Sequence, residues 1–144
     1  LEYRMVNIRG YMYMKKKLLI IFVLSFIVLC FCSCQKREIS IDGKESFYSS
    51  FKIENNKVYI YCNVLIKNPN KDVTKIALSG IFENDVKNGL LKESFLTGYA
   101  SDLETTEFNL ENGDNWIEVV FIGDYAGKSQ KYDRLLPQIK INKL

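Results

Sequence analysis

The sequence predicts an all-β fold, an antiparallel β-sandwich of about seven strands, preceded by an N-terminal hydrophobic signal helix. Three observations carry that expectation. In KVYIYCNVLIK, residues 57–67, Val58, Ile60, Cys62, Val64 and Ile66 share one face and Tyr59, Tyr61, Asn63, Leu65 and Lys67 the other. LENGDNWIEVVFIG, residues 110–123, repeats the alternation after an Asn-Gly turn, with Trp116, Glu118, Val120 and Ile122 opposite Ile117, Val119 and Phe121. Beyond the apolar leader no stretch has a convincing helical period.

The leader comes first. KKKLLIIFVLSFIVLCFCSCQK, Lys15 to Lys36, joins a cationic start to an apolar run and ends in three of the chain's four cysteines. Met14, directly before the lysines, is the expected start, with Met12 or Met5 as alternatives. A cationic segment, an apolar core and small residues at its end form an export signal. The competing transmembrane helix is short, because its apolar residues reach roughly 25 Å against a hydrocarbon core of about 30 Å. Phe31-Cys32-Ser33-Cys34 resembles the lipobox of bacterial lipoproteins, with Phe31 where that family usually has leucine. The resemblance implies cleavage before Cys34, a diacylglyceryl thioether on that cysteine, and a membrane anchor. Cys30 and Cys32 would leave with the leader.

The expected division is therefore a leader over residues 1–33, a lipidated Cys34 with a polar tether to Ser46, and a sandwich domain over 47–144. Lys15 to Lys17 stay inside and the chain beyond Cys34 goes outside, whether the leader is cleaved or retained as a single-pass anchor.

Within the domain, SFYSSFKI, the turn-like Glu54-Asn55-Asn56 and the strand at 57–67 suggest a hairpin. KNPNKD breaks the pattern, because Pro69 supplies no ladder donor. KIALSGIFE then places Ile76, Leu78 and Phe82 on one face, and Asn88-Gly89 turns the chain before LLKESFLTGYA. After the strand at 116–122, a loop from Asp124 to Arg134 leads to Leu135-Leu136-Pro137 and a last edge strand, QIKINKL. Leu135 and Leu136 are expected to tuck the C-terminus against the sandwich, a partner contact being the alternative.

VLIKNPNKDVTKIALSGIFEND, followed by FNLENGDNWIEVVF, resembles the immunoglobulin-like domains of the FxLYD type found in bacterial envelope proteins. Leu110, Gly113 and Trp116 occupy the places of that family's leucine-x-x-glycine turn and aromatic-bearing strand. The resemblance implies an immunoglobulin-like sandwich and, by itself, no function.

Composition excludes more than it suggests. The chain of 144 residues contains no histidine, so Ser-His and Cys-His nucleophile pairs and His metal ligands are ruled out. Its formal charge of +3 is concentrated ahead of the apolar run; from Gln35 onward 15 basic residues face 16 acidic ones. A near-neutral domain with interspersed charge carries no nucleic-acid footprint. No cofactor motif is present, and the scattered glycines form no phosphate cradle.

Several residues invite a functional reading beside a plainer one. Tyr59 and Tyr61, with Tyr48 near them in sequence, could form an aromatic surface for a glycan or an envelope protein; equally, tyrosines suit half-buried strand positions. Trp116 is expected as a core anchor between sheets. Cys62 is expected as a small buried hydrophobe, intermolecular pairing being the alternative. Asp102, Glu104, Glu107, Glu111 and Asp114 match no calcium loop and read as a solvated stretch.

The function expected from these features is a non-enzymatic, membrane-anchored extracytoplasmic lipoprotein with a small binding domain. The alternatives are a surface hydrolase or sugar-active module using those carboxylates, and a self-protection or inhibitor lipoprotein.

Overall fold

A computed structural model describes residues 38–129 and 134–144. The leader, the Ser33-Cys34 junction and the expected signal helix lie outside the described residues. The described elements are β1 (Ser40–Ile41), β2 (Phe47–Glu54), β3 (Lys57–Asn68), β4 (Thr74–Ile81), the helix α1 (Glu83–Lys87), β5 (Phe95–Tyr99), β6 (Glu107–Leu110), β7 (Gly113–Asp124) and β8 (Gln138–Lys143). Every strand pair is antiparallel, and the fold is all-β.

The centre is the long ladder between β3 and β7, in register from Lys57↔Asp124 to Asn68↔Gly113. Its inner face carries Val58, Ile60, Cys62, Val64 and Ile66, all without exposed surface, as the alternation predicts. β2 joins β3 through a two-residue hairpin in which Asn55 (φ 49°) and Asn56 (φ 61°) are both left-handed. That is the turn whose twist matches the strands, and asparagine tolerates the conformation.

Beyond β7 the sheet turns a corner through β5. Its first half pairs with β4 (Gly80↔Leu96) and its second half with β7 (Gly98↔Phe121). Gly98 makes this crossing feasible: a Cβ there would lie 2.7 Å from Val119 Cγ2 and 3.1 Å from the Leu78 carbonyl oxygen. β4 also pairs with β6 and β8, so the eight strands form one continuous sheet that curls nearly into a barrel.

Inside, Phe82 meets Phe121 edge-on with ring centroids 5.0 Å apart, surrounded by Ile76, Leu78, Leu90, Leu91 and Leu96. Phe82 also ends β4, so the chain leaves the sheet in the single turn of α1. Glu83 and Asp85 in its first turn and Lys87 in its last suit the helix dipole, and Gly89 at φ 77° follows its end.

Two expectations change. The tether to Ser46 is not free of the fold over its described part: Ser40 and Ile41 pair with Lys67 and Ile66 at the end of β3. β2 reaches only as far as Asn63 on that edge, so the last backbone groups of β3 need another partner. Ile39 joins the core, and Ser46 Oγ accepts a hydrogen bond from Leu65 N (2.9 Å). The C-terminus divides rather than tucking as a pair: Leu136 packs on the core, whereas Leu135 is 75% exposed. β8 is an edge strand as expected, paired among the described strands with β4.

Candidate functional site

The register puts one set of side chains on the outer face of β2, β3, β7 and β5. Tyr59 lies between Lys52 and Ile122, Tyr61 between Ser50 and Val120, Asn63 between Phe47 and Glu118, and Leu65 beside Trp116. Tyr99 stands on the far side of Val120. Flanked by Tyr61 and Tyr99, Val120 has no exposed surface although it points away from the core. Phe47 and Trp116, by contrast, are 50% and 57% exposed. The result is an aromatic sheet face with an apolar floor, on which Phe47 and Trp116 stand open to water.

Tyr59 and Tyr61 thus lie where the alternation predicts, but Tyr48 does not join them. A β-bulge between Tyr48 and Ser50 shifts the ladder by one residue, so Tyr48 faces Cys62 and packs against the core. The same shift turns Phe47 outward. Sequence reasoning missed Phe47 for that reason, and it missed Tyr99 because the corner at Gly98 has no local signal.

Trp116 is not a core anchor. Val119 and Phe121 pair with Cys62 and Ile60 on the inner face, and this register commits Trp116 to the outer one. The sequence held a hint, since Glu118, two residues on, shares the tryptophan's face, but the register decided it.

Electrostatically, the lysines of this face are engaged. Lys52 bonds Glu54 (2.9 Å) and lies over the Tyr59 ring, 4.9 Å from its centroid. Lys57 pairs with Asp124, and Lys67 with Asp42 (2.7 Å). The Lys67 hydrogen bond holds the Asp42 carboxyl below its ordinary value, and the Asp42 hydrogen bond raises Lys67. Glu118 accepts a hydrogen bond from Ser101 Oγ (3.1 Å).

The acidic stretch does not converge. Asp102 caps its own turn, accepting from Glu104 N, Thr105 N and Thr105 Oγ1, which lowers its carboxyl. Glu107 pairs with Lys75 (2.9 Å) on the other side of the molecule, and Asp114 stands on the outer face of β7. Among the described residues no group of carboxylates or cysteines is arranged to hold a metal ion. Cys62 is buried, and burial pushes its thiol up to about 12, with the Asp85 charge adding to the effect. This is the inert core cysteine expected from its face.

A second feature is a groove of about 360 Å³ between α1 and the segment entering β8, lined by Phe82, Asp85, Arg134, Leu136 and Pro137 among others. Arg134 Nε is 3.9 Å from Asp85 Oδ1, and its guanidinium lies 3.9 Å above the Phe51 ring. Phe51 belongs to β2, so this cation–π contact brings the approach to β8 against the opposite edge of the sheet. Its effect is structural.

No protein-family model, no curated protein and no solved structure matches this chain.

Proposed function

We propose that this protein is a lipid-anchored extracytoplasmic binding protein, held at the outer face of a membrane through Cys34, whose domain engages a partner through the outer face of β2, β3, β7 and β5. The observation that carries the binding role is that face itself, with Phe47 and Trp116 half-exposed beside Tyr59, Tyr61 and Tyr99. The anchor rests on the sequence alone, on three lysines, an apolar run and Ser33-Cys34. Among the described residues no helix is long and apolar enough to cross a membrane.

The finer fold reading, an immunoglobulin-like sandwich, belongs to the same proposal. It is supported by one core between the two halves of the sheet and by Leu110, Gly113 and Trp116 about the β6–β7 corner. The role is non-enzymatic: the dispersal of Asp102, Glu107 and Asp114 speaks against a carboxylate cleft of the kind glycosidases need.

The test of the anchor is metabolic labelling with a palmitate analogue in wild type and Cys34→Ser. Label should be lost from the variant. Unchanged labelling removes the Cys34 assignment, and an intact N-terminus by mass spectrometry points instead to a retained single-pass anchor.

A further inference from the structure

Resting on the reading of the aromatic face as a binding surface, we infer that its Trp116 end receives a basic side chain, lysine or arginine, from a partner protein. The argument is one of charge placed around an exposed ring. Trp116 is the chain's sole tryptophan and is 57% exposed. Asp114 and Glu118 lie two residues before and after it on the same face of β7, each about 7 Å along the strand, and both are exposed. An indole between two carboxylates offers a cation both a π face and an anionic partner on either side. Arginine suits this best, because its planar guanidinium stacks on the ring while its fork reaches a carboxylate.

Among the described residues, the β3 positions opposite Trp116 and Glu118 carry no cation. Lys67, opposite Asp114, holds Asp42 at 2.7 Å and is raised further by the Asp114 charge, so Asp114 shares that cation while Glu118 does not. The residue opposite Glu118 is Asn63, and the donor to its carboxylate is the neutral Ser101 hydroxyl. Leu65, opposite Trp116 and 6% exposed, gives the alkyl stem of a long basic side chain an apolar floor. An anionic polymer would meet two carboxylates here. A neutral glycan would use the ring but gain little from flanking charges on both sides.

Because Trp116 is the only tryptophan, its fluorescence reports on this position alone. The full chain in mild detergent should be titrated with three probes: a short arginine–glycine peptide, a neutral oligosaccharide of N-acetylglucosamine, and a glutamate-rich peptide. The basic peptide should quench saturably. Affinity should fall about tenfold or more in Asp114→Asn/Glu118→Gln and fall again when salt shortens the screening length. Both substitutions are exposed and near-isosteric, so circular dichroism should be unchanged.

Quenching by the basic peptide that is equal in wild type and the double variant overturns the inference. A saturable response to the oligosaccharide alone overturns it while leaving the face a binding surface. Silence toward all three probes overturns the inference together with the reading on which it rests.

Discussion

The two outer sides of this sheet have the same hydrogen-bonding pattern and differ in their share of aromatic residues. Over β2, β3, β7 and β5 the outward positions carry Phe47, Tyr59, Tyr61, Tyr99 and Trp116, set among Lys52, Asn63, Asp114 and Glu118. Over β4, β6 and β8 they carry Lys75, Ser79, Thr97, Glu107, Lys140 and Asn142, with Phe95 at one end. The second side is what an antiparallel sheet facing water ordinarily presents. The first is not needed for solubility or for the core, which is filled from within by Phe82, Phe121 and the aliphatic residues around them. The difference teaches that burial of the core does not by itself account for the aromatic residues left on the first side.

The largest change would come from what the two sides share. Phe121→Ala removes the ring that meets Phe82 and should cost about 3–5 kcal/mol by denaturant unfolding, disabling both sides together. Gly98→Ala strikes the corner where one side passes into the other. Its methyl would press on Val119 and on the Leu78 carbonyl, and a loss of about 1–3 kcal/mol is expected, with amide exchange accelerating first in β5.

Arg134→Ala removes the cation above Phe51 and the partner of Asp85. Its cost should be about 2 kcal/mol, and amide protection should fall in β8 before β3 or β7. Smaller still in stability terms are Trp116→Ala and Lys140→Ala, one on each side, each expected within about 0.5 kcal/mol of wild type. They separate in binding: quantitative titration by calorimetry should register loss of the basic peptide for the first and no change for the second. Equal behaviour would erase the distinction between the sides.

Acid gives the mildest test. The carboxyls of Asp42 and Asp124 are lowered chiefly by hydrogen bonds from Lys67 and Lys57, and that of Asp102 by its bonds from Thr105. A lowered folded value means that the stabilisation is complete above the ordinary carboxylate range and is lost as pH falls from that range through the lowered folded value. Thermal unfolding should therefore be insensitive to pH near neutrality and shift downward only in acid, modestly, since these pairs are solvent-exposed.

Much of the architecture was legible from local pattern. The alternation from Val58 to Ile66 located β3 and its inner face, and Asn55-Asn56 and Gly113 marked turns because few residues tolerate positive φ. The site was legible only in part. Tyr59 and Tyr61 follow from parity along one strand. Tyr48 was misassigned because a bulge changes parity and leaves no composition signature. Trp116 was placed inside because both faces of β7 carry large apolar residues.

The sequence by itself therefore determined the strand periods, the turns, the burial of Cys62 and the exclusion of histidine chemistry, since each depends on residues close in the chain or on their absence. Only the tertiary structure decided which face of β7 looks outward, where β5 changes partners, and that Ser40 and Ile41 complete the edge of β3. Those are questions of register between strands far apart in sequence. A one-residue slip there exchanges inside for outside, and the packed core selects the answer.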